Sequence, residues 1–287
     1  MKISFIVLTY NRTGALLAVL ASLAQQCREQ GARHTMKFEV VIADDGSNPE
    51  QVKMLQQKCP PFECPVQHVW HSDTGFTASA ARNLGAHHAQ GDYLVFLDGD
   101  CVPNQSFVKA HTRLAQKGFF VNGSRVLLSK RLTDQVVDGG TNLPSQPASF
   151  WWNARLRGDS NKLLHVMAWP WSLFRVKEGF QWQGIRSCNL AVWREDFSAV
   201  NGFDETFEGW GHEDADLVLR LHHLGIQRKN GFLATEVYHL WHQENARDRA
   251  LVNQQKVFHR MQSKLVQAEK GLLQIGSDVS VKATKLY

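Results

Sequence analysis

Hydrophobic and polar positions alternate regularly along the N-terminal third of the chain. Short apolar runs bounded by polar residues predict four β-strands, over 3–8, 38–43, 66–70 and 93–97. The stretches between these runs predict three helices, over 14–26, 49–58 and 78–88. Strands that are apolar throughout and alternate with helices are typical of a parallel sheet covered on both faces. The sequence therefore predicts an α/β fold.

Polar residues directly follow three of these predicted strands. The segments are Thr9-Tyr10-Asn11, Asp44-Asp45-Gly46-Ser47 and Asp98-Gly99-Asp100. Because ligands of a parallel α/β sheet bind beyond the carboxyl ends of its strands, their convergence is the first indication of a functional site. The Asp44-Asp45 carboxylates suit hydrogen bonding to a nucleobase or a ribose. Alternatively, this segment is a turn in which Ser47 or Asn48 caps the next helix.

The Asp98-Gly99-Asp100 segment is a candidate cation site. Gly99, between the two aspartates, allows the backbone to bend where the strand ends. Both carboxylates could then reach one hard cation or its bound water. An ordinary turn is the alternative, although a turn after a buried strand has little need of two negative charges.

Arg82 is a candidate contact for a diphosphate. The loop Gly75-Phe76-Thr77 runs into the predicted helix that carries this arginine. From that helix the guanidinium could reach a phosphate group. A single arginine on a helix is more commonly a surface residue, so the interpretation depends on the other segments.

After about Val126 the regular alternation is lost. Residues 141–183 follow no clear pattern and contain five of the nine tryptophans. A strand is predicted over 187–193, a helix over 214–224 and a β-like run over 233–238. One face of a predicted amphipathic helix near the C-terminus carries Leu251, Phe258, Met261, Leu265, Ala268 and Leu272.

The densest acidic group follows the segment Gly209-Trp210-Gly211-His212. Glu213, Asp214 and Asp216 repel one another, which is costly unless a cation or a raised proton affinity is required there. A tryptophan face suits packing against the apolar face of a sugar ring. The acidic first turn of a helix is the alternative, but it gives no reason for the tryptophan and the glycines.

Two histidines follow the β-like run over 233–238. A histidine beyond a strand end can supply a nitrogen ligand to the cation that the carboxylates hold. The spacing of His239 and His242 does not decide which of them is a ligand, or whether both are core histidines.

Composition narrows the class of protein. With 43% hydrophobic and 21% charged residues, the chain can bury a core, which excludes a disordered or collagen-like protein. No apolar run approaches the roughly 18 residues that span a bilayer, and the N-terminus has no signal-peptide pattern, so a cytoplasmic location is expected. The five cysteines are odd in number and lack Cys-x-x-Cys spacing, which predicts ordinary thiols.

The net charge of +5 is concentrated near the C-terminus. Residues 243–287 contain eight Lys and Arg against four Asp and Glu. A basic tail attracts nucleic acid or anionic membrane, and a solvated helix face is equally consistent with this composition. No basic stripe interleaved with aromatic residues is present, so we expect no nucleic-acid partner, and we keep peripheral association with the inner face of the membrane as an expectation.

Taken in order, these segments resemble the inverting family 2 glycosyltransferases of the GT-A type. The nucleotide-sugar half is matched by the three strand-end segments and by Ala81-Arg82-Asn83-Leu84-Gly85. The stretch from Asn201-Gly202-Phe203-Asp204-Glu205 to Asp214 resembles the galactosyltransferase-associated segment of β-1,4-galactosyltransferases and chondroitin-polymerase-like bacterial enzymes. The resemblance covers roughly residues 1–125 and 185–245.

This resemblance implies a GT-A fold, in which a Rossmann-like, mostly parallel central sheet is flanked by helices and followed by a C-terminal helical extension. Residues 1–125 would be the nucleotide-sugar half, 126–245 the acceptor half of the same domain, and 246–287 the basic helical extension. The implied activity is metal-dependent transfer of a hexose or N-acetylhexosamine from a UDP-sugar to a hydroxyl of a glycan or lipid-linked acceptor, in surface polysaccharide synthesis.

The resemblance also implies roles for individual residues. The uridine-binding positions correspond to Thr9, Asn11, Asp44 and Asp45, and the diphosphate contact corresponds to Arg82. The ligands of Mn²⁺ or Mg²⁺ correspond to Asp98, Asp100 and His242, with His239 in reserve. The catalytic base corresponds to Asp214, and the acceptor-binding positions correspond to Trp210 and Glu213. Residues 150–182 match no motif, and acceptor specificity is expected there.

Two other classes remain to be distinguished. A sugar-1-phosphate nucleotidyltransferase would require a glycine-rich, basic loop where Thr9-Tyr10-Asn11-Arg12 stands. A non-catalytic protein that binds a nucleotide-sugar or carbohydrate on a transferase scaffold would bind nucleotide without turnover. The two complete acidic clusters disfavour this second alternative.

Overall fold

The computed structural model describes residues 1–31, 37–164, 174–243, 248–276 and 281–287. Its α-helices are α1 (Thr13–Gly31), α2 (Pro49–Lys58), α3 (Ala78–His88), α4 (Phe107–Leu114), α5 (Lys130–Val137), α6 (Ala148–Leu156), α7 (Arg194–Ala199), α8 (Glu213–His223) and α9 (Ala250–Met261). Its strands are β1 (Lys2–Thr9), β2 (Lys37–Asp44), β3 (Val66–Trp70), β4 (Tyr93–Asp98), β5 (Cys101–Pro103), β6 (Phe119–Asn122), β7 (Ser124–Leu127), β8 (Val176–Lys177), β9 (Asn189–Trp193), β10 (Gln227–Asn230), β11 (Glu236–His239) and β12 (Lys282–Lys285).

The main sheet has the strand order β12-β3-β2-β1-β4-β9-β6-β10-β8. Strands β3, β2, β1 and β4 are parallel, as the sequence predicts. Strand β9 is antiparallel to both β4 and β6, and β10 is parallel to β6. Two reversals restore the original direction, so β6 and β10 run the same way as β4. The carboxyl ends of all six of these parallel-running strands therefore lie along one edge of the sheet.

A small second sheet joins the two halves of the chain. In it, β11 lies between β5, to which it is antiparallel, and β7, to which it is parallel. The register places His239 opposite Cys101, the residue after the Asp98-Gly99-Asp100 segment. This pairing brings the end of β11 to the end of β4.

Two hydrophobic cores cover the faces of the main sheet. Alternate residues of β1 point to opposite faces, as the pleat requires. Ile3, Phe5 and Val7 contribute to the core that contains the α1 leucines, and Ile6 contributes to the core that contains Leu84 of α3. Each fully buried side chain of this size stabilises the fold by about 1.5–3 kcal/mol relative to exposure.

Helix α3 packs very closely against the sheet. A Cβ atom at Gly85 would lie 2.8 Å from Cγ2 of Ile6 and 3.0 Å from Cβ of Ala43. Glycine at this position therefore lets α3 approach β1 and β2. The close approach holds Arg82, one turn earlier on α3, against the ends of the strands.

The C-terminal residues depart from the predicted amphipathic helix. Helix α9 ends at Met261, and β12 later pairs antiparallel with β3 at the edge of the main sheet. The predicted apolar face is wrong for α9, since Leu251 is 73% exposed and Phe258 is 47% exposed. The residues that α9 buries are Asn253, Val257 and Arg260. The reason is an ion-pair network around Arg260, which hydrophobic periodicity does not reveal.

The tryptophan-rich stretch is partly described. Trp151 is buried and stacks on Tyr238, with ring centroids 4.5 Å apart. Trp182 packs edge-on against His212 at 5.4 Å, which places it beside the acidic segment. Trp169 and Trp171 lie outside the described residues. Within the described part of the chain, no helix is both long enough and apolar enough to cross a bilayer.

Candidate active site

The register of the main sheet brings the strand-end segments together. Thr9 lies opposite Asp44, and Leu8 lies opposite Asp98. The backbone N–H of Asp45 donates to the carbonyl of Thr9 at 2.9 Å, and that of Gly99 donates to the carbonyl of Leu8 at 2.7 Å. The structure thus brings these segments to one place on the sheet edge, where a ligand is expected.

Asp44 and Asn11 shape the loops at this edge. Asp44 is buried, and its carboxylate accepts from the Ser47 backbone N–H and lies 2.8 Å from Nε2 of His68. The Asn11 backbone N–H donates to Oγ of Ser47 at 2.8 Å, and the Asn11 side chain accepts from the Asn48 N–H at 2.9 Å. Asn48 caps α2 by accepting from the N–H of Gln51. The capped turn weighed in the sequence analysis is therefore present, with Asn48 as the cap.

Asp45 connects β2 to the loop before α3. Its carboxylate accepts from the backbone N–H of Thr77 at 3.0 Å and from the Thr77 hydroxyl at 2.5 Å. Nε2 of His71 lies 3.2 Å from the same carboxylate. Asp45 therefore positions Gly75-Phe76-Thr77, the loop that leads to Arg82.

Asp100 is the centre of the candidate metal site. Its Oδ2 atom accepts from Arg12 at 2.5 Å and lies 3.4 Å from Nε2 of His242. Its Oδ1 atom lies 3.8 Å from Nε2 of His239. Both histidines are thus within reach of the same carboxylate, and their rings are 5.2 Å apart.

The donors around Asp100 fit a divalent cation. Possible ligand atoms of Asp100, Cys101 and His239 all lie within 4.8 Å of one another. Burial lowers the pKa of His239, which favours the neutral imidazole that binds metals. Burial, together with a hydrogen bond to Cys188, raises the pKa of the Cys101 thiol, which leaves it protonated and a poor ligand. The usable donors are therefore carboxylate oxygens and imidazole nitrogens, which suit Mn²⁺ or Mg²⁺ through the carboxylates.

Sequence reasoning did not single out Arg12 as a site residue. Its guanidinium neutralises Asp100 and also donates to the carbonyl of Trp241 at 3.4 Å. It therefore joins the end of β1 to the segment that carries the two histidines. The sequence feature that could have indicated Arg12 is its position directly after Thr9-Tyr10-Asn11, among the polar residues at the end of the strand.

Arg82 bridges the two acidic segments. The side chain is buried, so it is not the surface residue that a single helix arginine commonly is. One terminal nitrogen lies 2.8 Å from Oδ1 of Asp98, and the other lies 3.3 Å from Oε1 of Glu213. The Arg82 guanidinium thus lies between the candidate metal site and the start of α8, and it forms an ion pair with each.

The three acids at the start of α8 have different surroundings. Asp216 is fully buried between Arg220 and Arg260, at 2.8 and 2.6 Å. Glu213 pairs with Arg82. Within the described residues, only Asp214 of the three forms no ion pair. Arginine side chains therefore offset the charges of Glu213 and Asp216, whereas Asp214 has no ion-pair partner among the described residues.

Asp214 has the strongest electrostatic perturbation of these acids. Burial raises its pKa to about 7, the neighbouring charge of Glu213 adds to this effect, and Arg186 opposes it. The N-cap of α8 is His212, in the left-handed region at φ 69°, and Asp214 accepts from the adjacent Ala215 N–H. Asp214 is therefore not the cap of α8. Trp210, 39% exposed, lies just before it between two glycines of positive φ.

Two family models match this chain. The model described as "Glycosyl transferase family 2" matches residues 4–176, which is more than half of the chain. The model described as "N-terminal domain of galactosyltransferase" matches residues 173–243. The chain therefore belongs to glycosyl transferase family 2, as the motifs indicated.

Curated relatives resemble this chain over most of its length. A hyaluronan synthase of Pasteurella multocida is 28% identical over 233 residues, which cover 78% of this chain and 23% of that protein. A validoxylamine A glucosyltransferase of Streptomyces hygroscopicus is 28% identical over 236 residues, which cover 78% of this chain and 52% of that protein. The chain thus spans about a quarter to about a half of the length of these relatives.

Solved structures confirm the expected GT-A fold. Staphylococcus aureus TarS 1–349 in complex with UDP-GlcNAc has a TM-score of 0.58 at 15% identity, covering 95% of this chain and 69% of that chain. GalNAc-T7 with UDP, GalNAc and Mn²⁺ has a TM-score of 0.52 at 16% identity, covering 90% of this chain and 48% of that chain. At these identities the likeness concerns the fold.

Proposed function

We propose that this protein is a metal-dependent, inverting glycosyltransferase. It would move a hexose or N-acetylhexosamine from a UDP-sugar to a hydroxyl of a glycan or lipid-linked acceptor, in surface polysaccharide synthesis. The observation that carries the proposal is the bridge from Asp98 through Arg82 to Glu213, next to Asp214. It joins groups suited to a nucleotide diphosphate to a carboxylate suited to accept a proton.

Donor binding is assigned to the edge formed by β1, β2 and β4. Asp98, Asp100 and one or both of His239 and His242 would hold Mn²⁺ or Mg²⁺, and Arg82 would face the diphosphate. When bound, the cation would neutralise charge on the departing diphosphate as a Lewis acid. GalNAc-T7, which shares the fold, binds UDP and Mn²⁺, and TarS binds UDP-GlcNAc. Roles of Thr9, Asn11, Asp44 and Asp45 in holding uridine stay predictions, supported by the loops that they organise.

Acceptor activation is assigned to the start of α8. The acceptor hydroxyl must lose a proton as it attacks the anomeric carbon, and Asp214 would accept that proton as a general base. A pKa near 7 suits this role, because the carboxylate is then both substantially ionised and basic enough near neutral pH. One in-line displacement would invert the anomeric carbon. Trp210 and Glu213 would position the acceptor.

We expect UDP binding to require a divalent cation. The cation would supply the attraction for the diphosphate at Asp98 and Asp100, whose carboxylates do not themselves favour an anion, so chelation with EDTA should weaken UDP binding at least about 10-fold. Calorimetric titration with UDP in Mn²⁺, Mg²⁺ or EDTA measures this. Asp100→Asn should behave like the EDTA sample, whereas Asp134→Asn on the exposed face of α5 should behave like the unmodified protein. Undiminished affinity in EDTA would contradict the metal assignment, and His239→Ala against His242→Ala would identify the ligand.

The rate of the transfer reaction should fall at acidic pH because Asp214 becomes protonated. Because a general base must be deprotonated, kcat/KM should rise with pH through a midpoint near the raised pKa of about 7. The charge of Glu213 contributes to that raised pKa, so Glu213→Gln should shift the midpoint to lower pH whatever it does to the rate. Initial rates from about pH 5 to about pH 8.5 measure the profile. A flat profile over this range would exclude Asp214 as the titrating base.

The rival classes make different predictions. A screen of UDP-sugars for metal-dependent hydrolysis or transfer, with UDP release as the readout, separates them from a transferase. UDP binding without any turnover would favour the non-catalytic alternative. Release of pyrophosphate from a nucleoside triphosphate and a sugar 1-phosphate would favour the nucleotidyltransferase.

Peripheral membrane association through the basic tail stays a prediction, and the structure reduces the charge available for it. Arg260 is buried among acids, and Lys270 pairs with Glu205 at 3.3 Å. Lys282 lies over the ring of Trp70 at 5.2 Å. Arg260 is therefore not available to an anionic surface, whereas Lys270 and Lys282 are exposed and have partners within the protein.

A further inference from the structure

A second, basic cleft lies at the edge of the sheet that holds the candidate active site. Its volume is about 300 Å³, and its cations are Arg125, Lys162, Arg186 and Arg228. We call these four side chains and the space between them the basic cleft. Asn122 and Asn230, at the carboxyl ends of β6 and β10, add amide groups to its wall.

The charge of the basic cleft is not balanced within the described residues. All its lining residues are neutral or cationic, and none of the four cations forms an ion pair in the described parts of the chain. Glu236 lies opposite Ser124 in the strand register, but its Oε1 atom accepts from the Leu233 N–H and it does not line the cleft. Four like charges around one cavity repel each other, so a bound anion would stabilise them.

The cations are held in place by neutral groups. Nζ of Lys162 donates to Oγ of Ser124 at 2.8 Å. Arg228 donates from one terminal nitrogen to the carbonyls of Gln181 and Gln183, at 3.0 and 3.3 Å, and its buried Nε–H has no hydrogen-bond partner in the described residues. Arg186 is exposed and donates to the carbonyl of Ile185 at 2.7 Å. The guanidinium groups therefore keep unused donors.

The position of the basic cleft places it on the acceptor side of the active site. Strands β6 and β10 end at the same edge as β4 but lie beyond β9, away from the β1 and β2 loops assigned to uridine. In the register of β7 and β11, Arg125 lies opposite Val237, two residues before His239. The charge of Arg186 also lowers the pKa of Asp214, so the cleft lies beside the strand that carries a candidate metal ligand and within electrostatic range of the candidate base.

We propose that the basic cleft binds an anionic group of the acceptor, a carboxylate or a phosphate, beside the hydroxyl that attacks. The enzyme would then select acidic acceptors, such as saccharides that contain a uronic acid or a sugar phosphate. This inference rests on the proposed transferase function. Arginine and lysine form charge-assisted hydrogen bonds with both kinds of anion, and arginine can bind either through two bonds.

The test compares three probes in the presence of saturating UDP and Mg²⁺: glucuronate, glucose 6-phosphate and glucose. Calorimetry or ligand-observed NMR should show at least one anion binding at least about 10-fold more tightly than glucose, with the difference decreasing as salt is raised. The order of the two anions distinguishes a carboxylate from a phosphate. Equal binding of glucose and both anions would overturn the proposal.

Variants identify the site of binding. Lys162→Gln combined with Arg186→Gln should remove at least about 10-fold of the affinity for the preferred anion. Lys162→Arg combined with Arg186→Lys keeps both charges and should restore most of it. The matched control, Lys53→Gln with Lys109→Gln, removes two exposed cations elsewhere and should change little. Equal losses in the cleft and control variants would mean a general charge effect and would overturn the proposal.

UDP affinity distinguishes a failure of the anion site from a failure of the proposed transferase function. It should be unchanged in every one of these variants, because UDP is assigned to the other strand ends. Failure of the unmodified protein to bind UDP would count against the proposed function itself. Anion binding that is tight without UDP and disappears at saturating UDP would assign the basic cleft to the donor and would overturn acceptor selection.

Discussion

Asp214→Asn should lower the rate of glycosyl transfer by at least about 10²-fold while leaving the binding of UDP and Mn²⁺ intact. The amide keeps the size of the carboxylate and can still accept from the Ala215 N–H, but it cannot take a proton. UDP and metal are assigned to Asp98, Asp100 and the histidines, which the substitution does not touch. Single-turnover transfer rates and calorimetric titration with UDP measure the two properties on the same variant.

The stability of the same variant provides an independent check. The folded-state pKa of Asp214, about 7, lies above its ordinary value of 3.8. The stability contributed by its protonated form is therefore present below the ordinary value and is lost as pH rises through about 7. Asp214→Asn should accordingly raise the free energy of unfolding above pH 7 and have little such effect at acidic pH.

A structural role for Asp214 would give the opposite pattern. If the carboxylate stabilised the first turn of α8, the amide variant would lose about 1 kcal/mol of stability and keep its activity. Such a result would place the base elsewhere, and Glu213 would be the next residue to test. Asp134→Asn, on the exposed face of α5, serves as the control because it removes one exposed carboxylate whose ion-pair partner is Lys130.

Asp216→Ala should destabilise the fold by about 3–5 kcal/mol, because it removes the common partner of two buried arginines. The Asp216 carboxylate lies 2.8 Å from Nε of Arg220 and 2.6 Å from a terminal nitrogen of Arg260. Arg260 belongs to α9 and also contacts Asp204. Loss of Asp216 therefore leaves charge uncompensated in the interior where α9 packs on α8. Urea denaturation at neutral pH measures the change.

The chain offers a matched control for this variant. Asp134 and Lys130 on α5 form another pair of an aspartate and a cation four residues apart on a helix, but both side chains are more than half exposed. Asp134→Ala should change the free energy of unfolding by no more than about 1 kcal/mol, because water screens exposed pairs. Similar effects of the two substitutions would contradict the structural role assigned to Asp216. Hydrogen exchange of α9 would show whether the loss is local to that contact.

Elements of the N-terminal half could be predicted because their signals are local. Strand β3 and helices α2 and α3 have the predicted bounds, whereas β1 and β2 are one residue longer at each end and β4 is one residue longer at its carboxyl end. Strands β5, β6, β7, β8, β10 and β12 were not predicted. They are two to four residues long, so no hydrophobic period can develop within them. Their pairing depends on partners far away in the chain.

The C-terminal residues show the limit of periodicity most clearly. Leu251 and Phe258, which suggested one apolar face, are 73% and 47% exposed in α9, while Arg260 is buried. An arginine is rarely buried without a partner, and the acidic partners of Arg260, Asp204 and Asp216, lie more than forty residues earlier in the sequence. No pattern within the helix could indicate that the acids would be there.

The sequence by itself determined the family, the parallel half of the sheet, and the segments that carry the candidate chemistry. It could do so because strand ends, glycine turns and acidic motifs are each encoded by residues that are close in the chain. Only the tertiary structure decided how those residues pair: Arg12 with Asp100, Arg82 with both Asp98 and Glu213, and Asp216 with Arg260. Arg82 and Glu213 are 131 positions apart. Whether the charge of each acid is compensated depends on which cation the fold brings within reach. The reason is that the free energy of a buried charge is set by its surroundings in the fold and not by its neighbours in the sequence.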